Sequence, residues 1–207
     1  MRVKADPVLR EKFLDALKRW NGSRVRRGVH VSDLVFCLRE AFFRRFMPVE
    51  PSLRQLGFFV DGARRHRVLQ ELLGVKCEVE VEKYGVVGHV DMLLDAPVEI
   101  KTTRAKKALP NHYFRQLGYY AVMLDIPCGY LVIQRLNNKE NPWEFIRVEW
   151  SDREFQLLNR ELKFRADLFR LALNQRDYRM LPRVGADAAW KCRSCPYRSR
   201  CFGGIEG

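Results

Sequence analysis

Apolar residues change their spacing along the chain, and these changes separate helical stretches from strand-forming stretches. Where apolar residues recur every three or four positions the pattern predicts a helix, and where they alternate with polar residues it predicts a strand. The predicted helices cover residues 7–20, 32–46, 52–73, 111–124 and 151–174. The predicted strands cover residues 75–82, 86–94, 98–103, 129–136 and 143–150. The order is therefore helices, three strands, a helix, two strands and a last long helix.

Capping residues mark several of these boundaries. Asp6 precedes Pro7, and Ser32 and Ser151 precede other helical stretches, so all three polar residues are expected N-caps. Gly74 is expected to end the helix over residues 52–73, because glycine readily adopts the left-handed conformation found after a helix.

This order of elements predicts an α/β or α+β fold in which helices flank a small mixed sheet. The 207 residues suit one domain that buries a sizeable core. Within it we distinguish a helical N-terminal part at 1–74, a core at 75–175 and a cysteine-rich tail at 176–207. The tail beyond residue 182 shows no periodicity, so we expect it to be irregular.

The charge of the chain narrows the choice of partners. Lys and Arg number 38 against 25 Asp and Glu, which gives a formal net charge of +13. This excess favours a polyanion, with nucleic acid ahead of a membrane surface, although a generally basic protein would show the same charge. No apolar run is long enough to cross a bilayer and the first residues lack the apolar core of a secretory signal, so we expect a cytoplasmic protein.

Three charged residues are predicted to converge in the sheet. Glu99 and Lys101 are two positions apart on a predicted strand, so they share one face. Asp91 lies on the preceding strand, and the short turn between the strands can bring it beside Glu99. Two carboxylates suit Mg²⁺ or Mn²⁺, which can polarise a phosphodiester and activate water. The alternative is a solvated strand face, although charged residues in a buried sheet usually have a partner or a function.

Three of the six cysteines cluster in the tail, as Cys192, Cys195 and Cys201. Such spacing in an irregular segment is typical of metal ligation. A fourth ligand must come from elsewhere, and the candidates are Cys37, Cys77 and Cys128. The last two belong to apolar strand surroundings, where cysteine packs as a small hydrophobic residue. Zinc and iron–sulfur clusters both accept four thiolates, so the metal stays open at this point.

The residues around the charged cluster resemble a nuclease pattern. Gly85, Gly88 and Asp91 form G-x-x-G-x-x-D, and Glu99 and Lys101 form E-x-K. Together they resemble the PD-(D/E)XK nuclease superfamily.

A further pair resembles the additional motif of the RecB-like branch of that superfamily. Gln116 and Tyr120 form Q-x-x-x-Y, and their spacing of four places both on one side of the predicted helix. An ordinary amphipathic helix with a half-buried tyrosine is the alternative for this pair alone.

The chain also has His66 upstream of the strands and a split cysteine set, with Cys37 near the start and three cysteines in the tail. With these features it resembles the CRISPR-associated exonuclease family called Cas-four over roughly residues 30–203. The resemblance implies a PD-(D/E)XK core with catalytic roles for Asp91, Glu99, Lys101, Gln116 and Tyr120. It also implies that His66, Asp91, Glu99 and the carbonyl of Ile100 hold Mg²⁺ or Mn²⁺.

The same resemblance implies an iron–sulfur cluster held by Cys37, Cys192, Cys195 and Cys201, which joins the N-terminal helices to the tail. A 4Fe-4S cluster is the expectation, with 2Fe-2S as the alternative. The family implies exonucleolytic cleavage of single-stranded DNA during CRISPR spacer acquisition, contact with the Cas-one and Cas-two integration proteins, and room for an oligomer. The rival hypotheses are an iron–sulfur DNA-end adaptor with weak nuclease activity and a zinc-tail protein that only binds nucleic acid.

Overall fold

The structure, a computed structural model, describes residues 7–22, 28–104, 108–184 and 186–203. The α-helices are α1 Pro7–Gly22, α2 Val31–Leu34, α3 Leu38–Phe46, α4 Leu53–Leu73, α5 Asn111–Leu124, α6 Asp152–Gln175 and α7 Arg198–Cys201. The strands are β1 Val29–His30, β2 Lys76–Lys83, β3 Val86–Leu93, β4 Pro97–Thr103, β5 Cys128–Arg135 and β6 Trp143–Glu149. Two 3₁₀ helices cover Tyr178–Met180 and Ala186–Ser194.

The strands form one mixed sheet in the order β1-β3-β4-β5-β6, with β2 also paired to β3. Pairing is antiparallel for β2 with β3, β3 with β4 and β5 with β6, and parallel for β4 with β5 and β1 with β3. The prediction of a mixed α/β fold with a small sheet between helices is confirmed.

β3 and β4 separate after a short paired stretch. They pair at Met92 with Val98 and at Leu93 with Pro97. β2 occupies the other edge of β3 along its length, and β1 pairs with the start of β3. The opening between β3 and β4 is therefore lined by backbone that strand pairing does not cover.

Helices cover both faces of the sheet. On one face α5 and α6 pack against the strands, and on the other face Leu69 of α4 packs against Met92, Val98 and Ile100. The largest core cluster joins β2 and β3 to α2, α3, α5 and α6. This burial of apolar surface on both faces is the main stabilising term for such a fold.

The helix predicted over residues 32–46 is in fact two helices, so that prediction is wrong. Asp33 accepts a hydrogen bond from the backbone N of His30 at 3.1 Å, which starts α2 at Val31 rather than after Ser32. The chain then leaves the helical conformation, and Cys37 becomes the N-cap of α3. Its Sγ accepts a hydrogen bond from the backbone N of Glu40 at 3.4 Å.

The tail is more regular than predicted, because Ala186–Ser194 is a 3₁₀ helix and Arg198–Cys201 is a short α-helix. The strand β1 was not predicted, since two residues are too few to show alternation. Ser151 as N-cap and Gly74 as a left-handed C-cap are confirmed. The predicted cap Asp6 lies outside the described residues.

None of the helices in the described ranges combines the length and apolarity needed to cross a bilayer.

Gly88 is required by the packing of Tyr120 against β3. A Cβ atom at residue 88 would lie 2.8 Å from Cε1 of Tyr120 and 3.2 Å from Cγ2 of Val31. Because Tyr120 is only 4% exposed, it has little room to move. We expect Gly88→Ala to lower the free energy of unfolding by about 1–3 kcal/mol, measured by urea unfolding.

Gly62→Ala is the matched control for Gly88→Ala. Gly62 lies within α4, and a Cβ atom there would meet nothing within 4 Å. Alanine in a helix interior is favoured over glycine by about 1 kcal/mol, so this variant should be neutral or more stable. Equal losses in the two variants would contradict the packing argument.

His112 makes stability depend on pH. Its ring packs edge-on to Phe36 at 5.1 Å between centroids. Burial, followed by the positive charges of Lys191, Lys101 and Arg115, lowers the pKa of His112 from 6.5 to about 4. The unfolded chain therefore binds the proton more strongly than the folded chain between these two values.

We accordingly expect the contribution of His112 to be complete above its unfolded pKa and to be lost as the pH falls toward 4. His112→Gln should flatten the fall in unfolding free energy between about pH 6.5 and pH 4, measured by urea unfolding across that range. A slope for His112→Gln equal to that of the wild type would contradict this assignment.

Candidate active site

A chain of hydrogen bonds connects β4 to α5. Lys101 Nζ donates to Oε1 of Glu99 and, at 2.9 Å, to Oε1 of Gln116. Nε2 of Gln116 in turn donates to the hydroxyl of Tyr120 at 3.1 Å. The predictions that Glu99 and Lys101 share a face and that Gln116 and Tyr120 point to one place are confirmed.

Asp91 connects β3 to both β4 and α4. Its Oδ2 accepts a hydrogen bond from the backbone N of Ile100 at 2.8 Å, across the opening between the strands. Its Oδ1 lies 3.3 Å from Nδ1 of His66 on α4. The predicted convergence of Asp91 and Glu99 through the intervening turn is therefore confirmed, and His66 reaches the same place.

Two residues near this cluster were not predicted. Gln70 donates from Nε2 to the backbone carbonyl of Asp91 at 2.9 Å, which fixes α4 against β3. Its position four residues after His66 on the same helix was the available signal. The ring of Tyr113 lies 5.5 Å from Nζ of Lys101, a cation–π distance that pattern reading does not reveal.

Burial and neighbouring charges shift the pKa values of Glu99 and Lys101. Burial, followed by the negative charge of Asp91, raises the pKa of Glu99 to about 7. Its side chain is 2% exposed, and Oε2 has no hydrogen-bond partner within the described residues. Burial alone would lower the pKa of Lys101, but the charges of Glu99 and Asp91 outweigh it and the pKa is raised.

The donor set has the chemistry that a hard divalent cation requires. The like charges of Asp91 and Glu99 repel each other, and Oε2 of Glu99 is buried without a hydrogen-bond partner in the described residues. Both features favour an added positive charge. As the side chains stand, no group of three or more His, Cys, Asp or Glu in the described ranges is arranged to hold a metal ion. Glu99 instead contacts the ammonium of Lys101. The ligand roles of His66, Asp91, Glu99 and the Ile100 carbonyl therefore stay predictions.

The cysteines divide into two groups. All six are free thiols. Electrostatic interactions link Cys37 to Cys201, and Cys195 to both Cys192 and Cys201. The remaining two lie on strands, where Cys77 donates from Sγ to the carbonyl of Val75 at 2.9 Å and Cys128 begins β5. The four cysteines predicted as ligands are thus in one neighbourhood, although they are not arranged as a metal site.

Arg39 connects α3 to the tail beside these thiols. Its Nε donates to the carbonyl of Leu181 at 2.7 Å, and its Nη1 lies 3.4 Å from the carbonyl and 3.8 Å from Sγ of Cys201. Arg165 holds the turn that precedes Cys37, donating to the carbonyls of Leu34 at 2.6 Å and Phe36 at 2.8 Å. Two arginines therefore anchor the segments that carry the first and last of the four cysteines.

Comparisons with known proteins place these features in a family. The crystal structure of SSO0001 matches with a TM-score of 0.66 and 21% identity, covering 96% of this chain and 98% of that chain. An alkaline exonuclease (LHK-Exo) from Laribacter hongkongensis matches with a TM-score of 0.50 and 16% identity, covering 80% of this chain and 95% of that chain. At these identities the likeness is one of fold. A search of curated proteins found no match.

The sequence itself matches the model of one family over nearly its whole length. That family is the PD-(D/E)XK nuclease superfamily, and the match covers residues 15–202. The matched range includes the acidic cluster, the α5 pair and the cysteines of the tail. The chain belongs to the PD-(D/E)XK nuclease superfamily.

Proposed function

We propose that this protein is a divalent-metal-dependent deoxyribonuclease that removes nucleotides from the ends of single-stranded DNA. The observation that carries the proposal is the buried carboxylate of Glu99, which lies between Asp91 and Lys101 and has one oxygen without a hydrogen-bond partner in the described residues. A buried acid in this state is costly for folding alone, so a catalytic use accounts for it better than a structural one.

His66, Asp91, Glu99 and the carbonyl of Ile100 would hold Mg²⁺ or Mn²⁺, the ions that members of the superfamily typically use. When bound, such an ion supplies an activated water and stabilises charge on the phosphate. Lys101 would donate to the phosphate oxygens as negative charge develops on them.

Gln116 and Tyr120 would act by orienting the lysine. The Gln116 carbonyl oxygen accepts from Lys101, and its amide nitrogen donates to the Tyr120 hydroxyl. Because Tyr120 is buried in the core, this series of hydrogen bonds limits the directions in which Lys101 can point.

DNA as the substrate is supported by charge. The net charge of +13 attracts the phosphate backbone without regard to base sequence. One protein of similar fold is named an alkaline exonuclease, which supports attack at DNA ends as the class of activity proposed here.

We further propose an iron–sulfur cluster, 4Fe-4S rather than 2Fe-2S, held by Cys37, Cys192, Cys195 and Cys201. Four free thiols within electrostatic reach of one another fit its donor requirement. The contacts of Arg39 with the tail support including residues 176–207 in one nuclease domain over residues 1–207.

The biological setting we propose is the processing of DNA before its integration as CRISPR spacers, alongside the Cas-one and Cas-two integration proteins. The support for this setting is the combination of nuclease motifs with a split cysteine set. An iron–sulfur adaptor that holds DNA ends without cutting them is the competing function.

Glu99→Gln tests the active site with the least change of shape. We expect it to reduce cleavage of end-labelled single-stranded DNA by about 100-fold or more in Mn²⁺, because the amide carries no charge. EDTA should abolish cleavage by the wild type, and DNA binding by the variant should be unchanged.

Glu80→Gln is the matched control, since Glu80 is an exposed carboxylate of β2 that contacts only His89 among the described ion pairs. Full activity of Glu99→Gln would refute the site, and binding without cleavage by the wild type would favour the adaptor.

Cys201→Ser tests the cluster. After anaerobic purification we expect about four iron and four sulfide ions per wild-type chain, with absorption in the visible range. Cys201→Ser should lose most of this signal, whereas Cys77→Ser should keep it, because Cys77 lies on β2 and bonds to Val75. A colourless wild-type protein that contains zinc would contradict the iron–sulfur assignment.

A further inference from the structure

A cavity lies between α4 and the strands β5 and β6, outside the hydrogen-bonded cluster of the active site. Its volume is about 380 Å³, which is within the range of small-ligand sites. The lining residues are Asp61, Arg64, Arg65, Val68, Leu69, Leu72, Gln134 and Trp143. A concave site of this size is a candidate for a small ligand.

The polar part of the cavity has unused hydrogen-bonding capacity. Arg65 donates from Nη1 to Oε1 of Gln134 at 3.0 Å, yet its Nε is buried without a partner among the described residues. Folded proteins leave few such atoms unbonded, so a polar group is expected beside the Arg65 side chain.

The rest of the cavity is apolar and includes an aromatic ring. Val68, Leu69 and Leu72 form the α4 side, and Trp143 lies on β6. Arg64 adds a second guanidinium, while Asp61 is the carboxylate of the set. A flat ligand with apolar faces, a polar edge and an adjoining negative charge matches these walls, and a nucleotide has all three.

The cavity lies beside a proposed metal ligand on α4. Arg65 directly precedes His66, so the cavity and the His66–Asp91 pair lie on neighbouring sides of the same helix. A DNA strand bound at Asp91 therefore has this cavity close by for a neighbouring nucleotide.

We propose that the cavity binds one unpaired base of the DNA strand, with its face against Trp143 and its polar edge toward Arg65 and Gln134. This inference rests on the proposed nuclease function, which it deepens by assigning a binding site for an unpaired base. An apolar side chain of a partner protein is a poorer occupant, because it would cover the polar side chains of Arg64, Arg65 and Gln134 without bonding to them.

A site for one unpaired base predicts that DNA binding requires a base at one position of the strand. The experiment uses the full-length wild-type protein in EDTA, which prevents cleavage, and DNA hairpins with a single-stranded overhang of roughly ten nucleotides. One abasic site is moved along the overhang, and Kd is measured by fluorescence anisotropy. We expect about a tenfold higher Kd when the abasic site is at one position and about twofold or less elsewhere.

Trp143→Ala should raise Kd for the intact overhang about tenfold and remove the dependence on position. Phe145→Ala is the matched control, because Phe145 is an exposed aromatic residue on the same strand that does not line the cavity. Arg65→Met is a second variant that should also remove the position dependence. Circular dichroism establishes that each variant is folded.

A flat abasic profile for a wild type that cleaves single strands would overturn this inference and leave the nuclease proposal intact. A position dependence that survives in folded Trp143→Ala and Arg65→Met would overturn it as well. A wild type that neither binds nor cleaves single-stranded DNA would instead refute the nuclease proposal, and this inference with it.

Discussion

The hydrogen bond from the backbone N of Ile100 to the carboxylate of Asp91 is the interaction on which the site depends. β3 and β4 separate just beyond their short paired stretch, so the buried amide of Ile100 needs a partner other than the β3 backbone. Asp91 supplies that partner and keeps the strands apart without leaving a buried donor unbonded. The same carboxylate faces His66, so one side chain both bridges the opening and belongs to the proposed set of metal ligands.

The opening explains the unusual state of Glu99. A residue in the middle of a fully paired, buried strand would ordinarily be apolar, yet here a carboxylate is held beside a second carboxylate and a lysine. The chain as a whole carries a large positive excess, which attracts polyanions over long distances, whereas Asp91 and Glu99 bring two carboxylates together in this buried place. A net positive chain with a buried pair of carboxylates suits the proposed function of bringing phosphates close to a cation.

Sequence reasoning recovered the parts of the fold that depend on long periodic segments. The α4 and α6 patterns, the caps Ser151 and Gly74, and the E-x-K face on β4 are all local features that spacing reveals. It failed where a single contact decides the conformation. The break at Cys37 depends on Arg165 of α6, which donates to the carbonyls of Leu34 and Phe36, and two-residue β1 carries no periodic signal.

The site shows the same division between local pattern and tertiary contact. Gln116 and Tyr120 could be placed on one helix face because their spacing is four, and the hydrogen bond between them follows. Tyr113 and the Arg65–Gln134 contact could not be found in this way, because their partners lie on other elements. The cavity beside α4 is a property of how three elements pack, and no segment of the sequence describes it alone.

The contacts of Arg39 have a consequence for the order in which the protein can mature. Translation produces the N-terminal helices first, but the acceptors for Arg39 are the carbonyls of Leu181 and Cys201, which lie 142 and 162 residues further along the chain. The helix α3 therefore cannot adopt its final contacts until these residues have been synthesised, and contacts of such long sequence separation form slowly. A chain interrupted just before Cys201 would carry all six described strands of the sheet but an Arg39 without its Cys201 acceptor. Synthesis of Cys201 is thus the earliest point at which α3 and this part of the tail can make all of these contacts.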